Sequence, residues 1–395
     1  MSSKSFDKEL LNRPASERLQ YFRSYVVKHR RLVTIDEQIT AALKEPADAG
    51  IVFVVGPSGI GKSTIQKVIY QRVIQDAMAE MKMDPGYIPI AGIEIPSLGK
   101  MSYNWHDHWY RALDALEEPL IKHKAVPKRS KLDRPTTGAR IREQTAALRR
   151  SFESAAVHRR LKVFLLDEAQ HLTHVSASLL RYQLETIKSV ANLSKALHLM
   201  FGTYELLLLR NASGQLGRRA LTIHFDRYQA KSDPDIAAFA EVVKTFQLQM
   251  PIMQTPDFLP HLEYCFERSL GCVGLLKDWF SRSLADAVDK GAKTVTLRDL
   301  QKHEFPPSVL LTISREFVEG EEKLYEQESS FALLKERLGI ASRLRKDAKA
   351  TNKKKPATRA KRGFGRRKPK RDKVGEGRAA TKTAEESGSN PWYPI

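Results

Sequence analysis

The sequence predicts an α/β protein: a five-stranded parallel sheet, then a small all-helical lid domain and a disordered basic C-terminal tail. Three observations carry this. Between residues 51 and 226, five short apolar runs alternate with amphipathic stretches of helix length, the pattern of right-handed crossovers in a parallel sheet. The first run, Ile51–Val55, is β-branched and ends directly in a glycine-rich loop, as a buried strand feeding a helix does. From Asp233 to Leu300 the periodicity is helical throughout.

The elements follow in order. Residues up to about Pro46 read as short amphipathic helices interrupted near Pro14, with Leu19, Phe22 and Val26 spaced along one helix face. The remaining strands are expected at 87–95, 161–166, 197–201 and 221–225. Helices are expected between them at 63–81, 104–121, 137–158 and 177–194. The helical region should hold segments 234–246, 256–270 and 273–289, then a short one capped by Thr296. A further amphipathic helix is expected over 308–338. The implied domains are 1–46, 47–230, 231–303, 304–342 and a tail at 343–395.

The glycine-rich loop carries chemistry. Gly56, Pro57, Ser58, Gly59, Ile60, Gly61, Lys62, Ser63 and Thr64 satisfy G-x-x-x-x-G-K-[ST] between a strand and a helix. Glycines let the backbone curl so that successive N–H groups point at phosphate oxygens. The helix beginning near Lys62 aims its positive end at the same charge. Lys62 is placed to reach the β- and γ-phosphates, and the Ser63 hydroxyl to ligate Mg²⁺. The run 161–166 delivers Asp167 and Glu168 to the sheet's carboxyl edge. There Asp167 can hold the Mg²⁺ shell and Glu168 can polarise an attacking water. Together these motifs predict binding of ATP or GTP. The acid doublet, with no N-K-x-D guanine-reading motif, favours ATP hydrolysis.

With these motifs placed, the chain resembles the AAA+ ATPases, and within them the TniB/TnsC group of DNA-transposition regulators, including those of CRISPR-associated transposons. The matching stretches are GPSGIGKST, VFLLDEAQHL, LMFGTYEL and QLGRRALTIHF, within residues 30–300. The resemblance implies that Thr203 is the sensor at the end of the fourth strand. It makes Arg218 or Arg219 the arginine finger, reaching a neighbouring subunit's γ-phosphate. Lys277 stands in the sensor 2 position, where many relatives carry Arg, and lacks the bidentate fork of a guanidinium. Such proteins form rings or helical filaments on double-stranded DNA and link a target selector to a transposase, with hydrolysis driving release. Two alternatives stay open: an initiator or helicase-loader type AAA+ ATPase, and a P-loop signalling or defence NTPase.

Charge points to a polyanionic partner. The chain's net charge is +20, and residues 343–382 hold 18 Lys and Arg against three acids. A segment of that composition cannot bury enough apolar surface to offset its ordering entropy. It is expected to bind DNA, RNA or an acidic protein surface, and its final NPWYPI reads as a docking peptide for the transposase. Within the globule, the basic stretch 122–150 offers Lys122, Lys124, Lys128, Arg129, Lys131, Arg134, Arg140, Arg142, Arg149 and Arg150 to duplex phosphates. Two cysteines, Cys265 and Cys272, are too few for a disulfide framework and fit no zinc spacing. No apolar stretch is long enough to span a membrane, and the first residues lack a signal-peptide pattern, so a cytoplasmic location is expected.

Overall fold

The computed structural model describes residues 5–44, 50–97, 103–124, 137–212, 220–325, 327–338 and 340. The chain divides into two units, Met1–Gln327 and Glu328–Ile395. Helix Gln327–Arg337 begins at that boundary and accounts for nearly all the described residues of the second. The basic tail and its terminal peptide lie outside the described residues.

Central-strand residues that alternate in direction yet are mostly apolar demand cover on both faces of a sheet. The first unit supplies it. Its five strands are β1 (Ile51–Val55), β2 (Ile90–Glu94), β3 (Val163–Asp167), β4 (Leu197–Gly202) and β5 (Ala220–His224). Every pair is parallel, in the order β2-β3-β4-β1-β5. Phe53, Val55, Phe164 and Leu166 pack on one side against Trp109, Leu113, Phe152 and Ile187. Val52, Val54, Leu199 and Phe201 pack on the other against Ile35, Ile39, Ile65 and Ile69. Because β4 lies between β3 and β1, the end of β4 separates the glycine-rich loop from the acid pair. The chain's crossovers reverse beside β1, and such switch points open a crevice at the carboxyl ends of the strands.

The helices Asp233–Gln249, Leu262–Ser269, Val273–Asp289 and Leu297–Lys302 surround a core of their own, including Phe239, Phe246, Trp279, Phe280 and Leu284. The indole of Trp279 donates to the Leu300 carbonyl at 2.8 Å. Thr296 caps the last of these helices in a reciprocal box with Asp299. Cys265 and Cys272 are free and fully buried, and burial pushes both thiols up to about 12.

Several expectations shift, each for a local reason. The helix expected over 104–121 stops at Ala115 and resumes only as Ile121–Lys124. Pro119 lies between them, disfavouring helical backbone before it, and Glu117 and Leu120 take left-handed φ. The second strand begins at Ile90 rather than 87, after Pro89, which has no N–H to give the ladder. Its carbonyl instead accepts from Lys162 and Val163. The segment 256–270 enters as a single 3-10 turn, Leu259–His261, before its helix. The helix expected over 308–338 is helical at its described residues, Pro307–Tyr325 and Gln327–Arg337.

The N-terminal region divides most instructively. Helix Ala15–Ser24 ends before Val26, so that residue is exposed while Phe22 is buried. Phe22 packs against Phe246 in the helical core, whereas Leu32, Ile35 and Ile39 of helix Arg30–Lys44 cover the sheet. One expected extension therefore serves two cores. Among the described residues, no helix is long and apolar enough to cross a membrane.

Candidate functional site

Three walls meet at the carboxyl edge of the sheet. The first is the loop after β1. Gly56 lies so close to β5 that a Cβ there would sit 2.4 Å from the Phe225 carbonyl oxygen. Gly59 and Gly61 take φ of +73° and +115°, which side chains resist. Gly61 caps helix Lys62–Met83 without a side-chain oxygen, leaving that helix end suited to an anion. Ser58, Gly59, Gly61, Lys62, Ser63 and Thr64 line the cleft, while Ile60 is buried in the sheet core. The half-buried Lys62 ammonium donates to the carbonyls of Gly56 at 3.1 Å and Pro57 at 2.9 Å. Desolvation lowers its pKa, and the facing charges of Glu168 and Asp167 oppose that shift.

The second wall is the acid pair with the end of β4. The Asp167 carboxylate accepts from the Glu168 N–H at 2.9 Å, and the Asp167 carbonyl accepts from Ile95 N at 2.9 Å. Glu168 takes a left-handed backbone, φ 50° and ψ 34°, unusual for a residue with a side chain. The turn that follows is pinned by His171, whose Nδ1 lies 2.7 Å from the Ile95 carbonyl oxygen. The Gln170 side chain, itself buried, bridges Glu168 and the backbone N–H of Thr203. Glu168, Gln170 and Thr203 all line the cleft.

The third wall is the start of helix Val273–Asp289. Leu275 N donates to the Gly59 carbonyl at 3.0 Å. A Cβ on Gly274 would fall 2.3 Å from that same oxygen. Lys277 lines the cleft, but its ammonium donates to the carbonyls of Arg23 at 2.7 Å and Tyr25 at 2.6 Å. It thereby caps helix Ala15–Ser24 and ties it to the third wall. Burial lowers the Lys277 pKa.

Together the walls enclose a cleft of about 790 Å³, also lined by Arg23, Asp278 and Arg282. The Arg282 guanidinium stacks over Phe305 at 4.2 Å. An apolar corner shares Gly61, Thr64, Gly274 and Lys277 with it and adds Val27, Ile60 and Val273.

The sequence pointed to Asp167, Glu168, Thr203 and the loop, and the structure gathers them at this edge. It did not single out Gln170, Arg23 or Arg282. Gln170 stands two residues after Glu168 inside DEAQHL, and that proximity was its only signal. Arg23 reaches the cleft from a helix some 40 residues ahead of the loop, which no local pattern announces.

Arg218 and Arg219 lie outside the described residues, as do Lys128, Arg129, Lys131 and Arg134. Of the other basic residues expected to meet DNA, Lys122, Arg140, Arg142 and Arg150 are exposed. Lys124 is paired with Glu118, and Arg149 with Glu153 at 2.8 Å and the Ser189 hydroxyl at 2.7 Å. Those two cations are already committed within the fold.

Residues 45–209 match the family model of an AAA domain. A search of curated proteins returns no match. Among solved structures, the chain is similar to ORC2 of Aeropyrum pernix, determined in ADPNP and ADP complexes, at 13% identity and TM-score 0.44, over 72% of this chain and 70% of that one. It is similar to ORC1 of the same organism in complex with DNA, at 14% identity and TM-score 0.47, over 77% and 70%. It is also similar to domain III of the replication initiation protein DnaA from Thermotoga maritima, at 14% identity and TM-score 0.40, over 72% and 97%.

Proposed function

We propose that this protein is a Mg²⁺-dependent ATPase of the AAA+ class that assembles on double-stranded DNA and regulates transposition. The carrying observation is the single cleft on which the Lys62 loop, the Glu168 acid wall and the Gly274 helix end converge.

The residues fit the implied groups. Gly59 and Gly61 take positive φ, a backbone that lets the loop's N–H groups turn toward a phosphate, and Lys62 adds a half-buried cation beside them. The Ser63 hydroxyl and the Asp167 carboxylate are oxygen donors suited to Mg²⁺, which takes a few protein oxygens and keeps waters and phosphate oxygens. Bound there, the ion would neutralise charge across the β- and γ-phosphate oxygens.

Chemistry follows from the acid wall. Glu168 accepts the proton of a water whose oxygen attacks the γ-phosphorus. The bond from that phosphorus to the bridging oxygen breaks, and ADP leaves with that oxygen. Thr203 positions the water, and Arg218 or Arg219 of a second copy completes the site. Assembly therefore depends on ATP, and hydrolysis times release from DNA. The exposed Lys122, Arg140, Arg142 and Arg150 supply sequence-independent phosphate contacts.

The link to a transposase and a target selector rests on the resemblance of DEAQHL, FGTYEL and LGRR. An initiator or helicase-loader role uses the same cleft but calls for a DNA-reading domain after the helical segment. Beyond Lys302 the described residues hold two helical spans, Pro307–Tyr325 and Gln327–Arg337. Sedimentation with a non-hydrolysable ATP analogue and duplex DNA tests the assembly claim. Large oligomers are expected; monomers alone would contradict it.

A further inference from the structure

The structure gives Gln170 a task that the motifs do not. It sits in the 3-10 turn after Glu168, Ala169–Thr173, and is almost fully buried. Its side-chain oxygen accepts from the Thr203 N–H at 3.2 Å, and its side-chain nitrogen donates to the Glu168 carboxylate at 2.5 Å. The orientation is forced: a backbone N–H needs an acceptor and an ionised carboxylate needs a donor, so the amide reads only one way. The neighbouring strand is shaped to admit it. A Cβ on Gly202 would lie 2.6 Å from the Gln170 oxygen, so β4 must end in glycine for the bridge to form.

The bridge joins two strand ends. Glu168 follows β3, and Thr203 follows β4, the strand lying between the acid and the Lys62 loop. Glu168 also occupies a left-handed backbone that other interactions must hold. A long carboxylate side chain on such a turn has several rotamers, and only a few direct an oxygen at the γ-phosphate.

We propose that Gln170 is a positioning residue that clamps one oxygen of Glu168 to the end of β4, aiming the other at the attacking water. This rests on the reading of Glu168 as general base. The amide acts through Glu168 rather than on the nucleotide itself. Its effect falls on turnover, because a misaimed base costs rate while the phosphate cradle stays intact. The coupling to Thr203 also makes the aim depend on where the β4 end sits, so the base is set only when that strand end is in register.

The test uses the full chain with duplex DNA present. Gln170→Glu keeps the shape and can accept from Thr203 but cannot donate to Glu168. Gln170→Ala removes both ends of the bridge. Gly202→Ala leaves Gln170 in the sequence but displaces its amide. Each variant is expected to lower kcat about 10-fold or more while KM and the affinity for a fluorescent ATP analogue stay within about twofold of the wild type. Melting temperature separates folding failure from misaim, and Gly202→Ala gives an independent route if Gln170→Glu folds poorly. Unchanged kcat in Gln170→Glu and Gln170→Ala would overturn the proposal. So would a rise in kcat, which would make the amide a restraint, or a parallel loss of affinity, which would make its role structural. Glu168→Gln is the control for the underlying reading. If that variant still hydrolyses ATP, the general-base assignment falls and takes this inference with it. If it is inactive while the Gln170 variants turn over normally, only this inference falls.

Discussion

Two walls of the same cleft are built on opposite principles. The loop wall is backbone: its shape comes from glycines that no side chain could replace, locked against Phe225 on one side and Gly274 on the other. The acid wall is side chain: Gln170 holds Glu168 and the end of β4, and His171 holds the backbone just after β2. Backbone walls bind whatever charge fits them and change little. Side-chain walls can be re-aimed by small movements of the elements beneath. The difference suggests that binding and turnover are separable here, and each prediction probes that separation.

The largest effect is expected at the loop. Lys62→Ala removes the cation beside the loop and should reduce ATP affinity by about 100-fold or more, read by titration with a fluorescent ATP analogue. Wild-type affinity in that variant would break the distinction, because the loop wall would then not be what binds phosphate.

Next comes the support behind the acid wall. Helix Pro307–Tyr325 seats Gly320 on the ring of Tyr204, the residue after Thr203. It is fastened by the half-buried pair Arg227–Glu321 at 3.1 Å, with the Arg227 guanidinium 3.9 Å from the Phe317 ring. Glu321→Ala leaves Arg227 partly buried without its carboxylate and should cost about 2–4 kcal/mol, measured by denaturant unfolding. Its kcat should also fall more than its ATP affinity. Equal losses of both would erase the contrast between the walls.

A smaller effect falls on the joint between loop and helical segment. Gly274→Ala places a methyl against the Gly59 carbonyl, so the helix end must back away. Affinity should fall about 10-fold, with hydrolysis of bound ATP less affected in a single-turnover assay. The reverse order would mean that this helix serves the acid wall instead.

The smallest and most distributed effect is on pH. Burial holds His29, His198 and His224 down to about 4 and His108 to about 3. These rings stay neutral in the fold but protonate once the chain opens, so the unfolded state binds more protons below about pH 6.5. Stability is therefore complete above that pH and is lost progressively as pH falls toward about 4. Between pH 7.5 and 5.5 the melting temperature should drop by roughly 5 °C or more, followed by calorimetry. Only His224, hydrogen-bonded to Tyr204 at 2.8 Å, adjoins the acid wall. His224→Gln should thus flatten part of the pH dependence without changing nucleotide affinity.

The same contrast explains what the sequence disclosed. Backbone-built features leave compositional traces: glycines at fixed spacing, a β-branched run, an apolar strand ending in Asp167 and Glu168. The central strands were legible because buried parallel strands are nearly continuous apolar runs, whereas the edge strands β2 and β5 are partly exposed and mixed in composition. Helix ends set by tertiary contacts were not. Helix Ala15–Ser24 stops where Lys277, some 250 residues later, takes its terminal carbonyls. Likewise Gln170 looks like any polar residue in a turn until β4 is folded beside it. Glu118, which pairs with Lys124 across a break in the helical pattern, gave no hint in the sequence, whereas Arg149 and Glu153 stand at i,i+4 on one helix and their pairing was open to reading.

The central claim is that one cleft binds ATP through its loop wall and hydrolyses it through its acid wall. The most direct test is Glu168→Gln, with bound nucleotide and released phosphate followed in a single turnover on duplex DNA. ATP should remain bound at wild-type affinity while phosphate release falls by about 100-fold or more. Phosphate release at the wild-type rate would contradict the account.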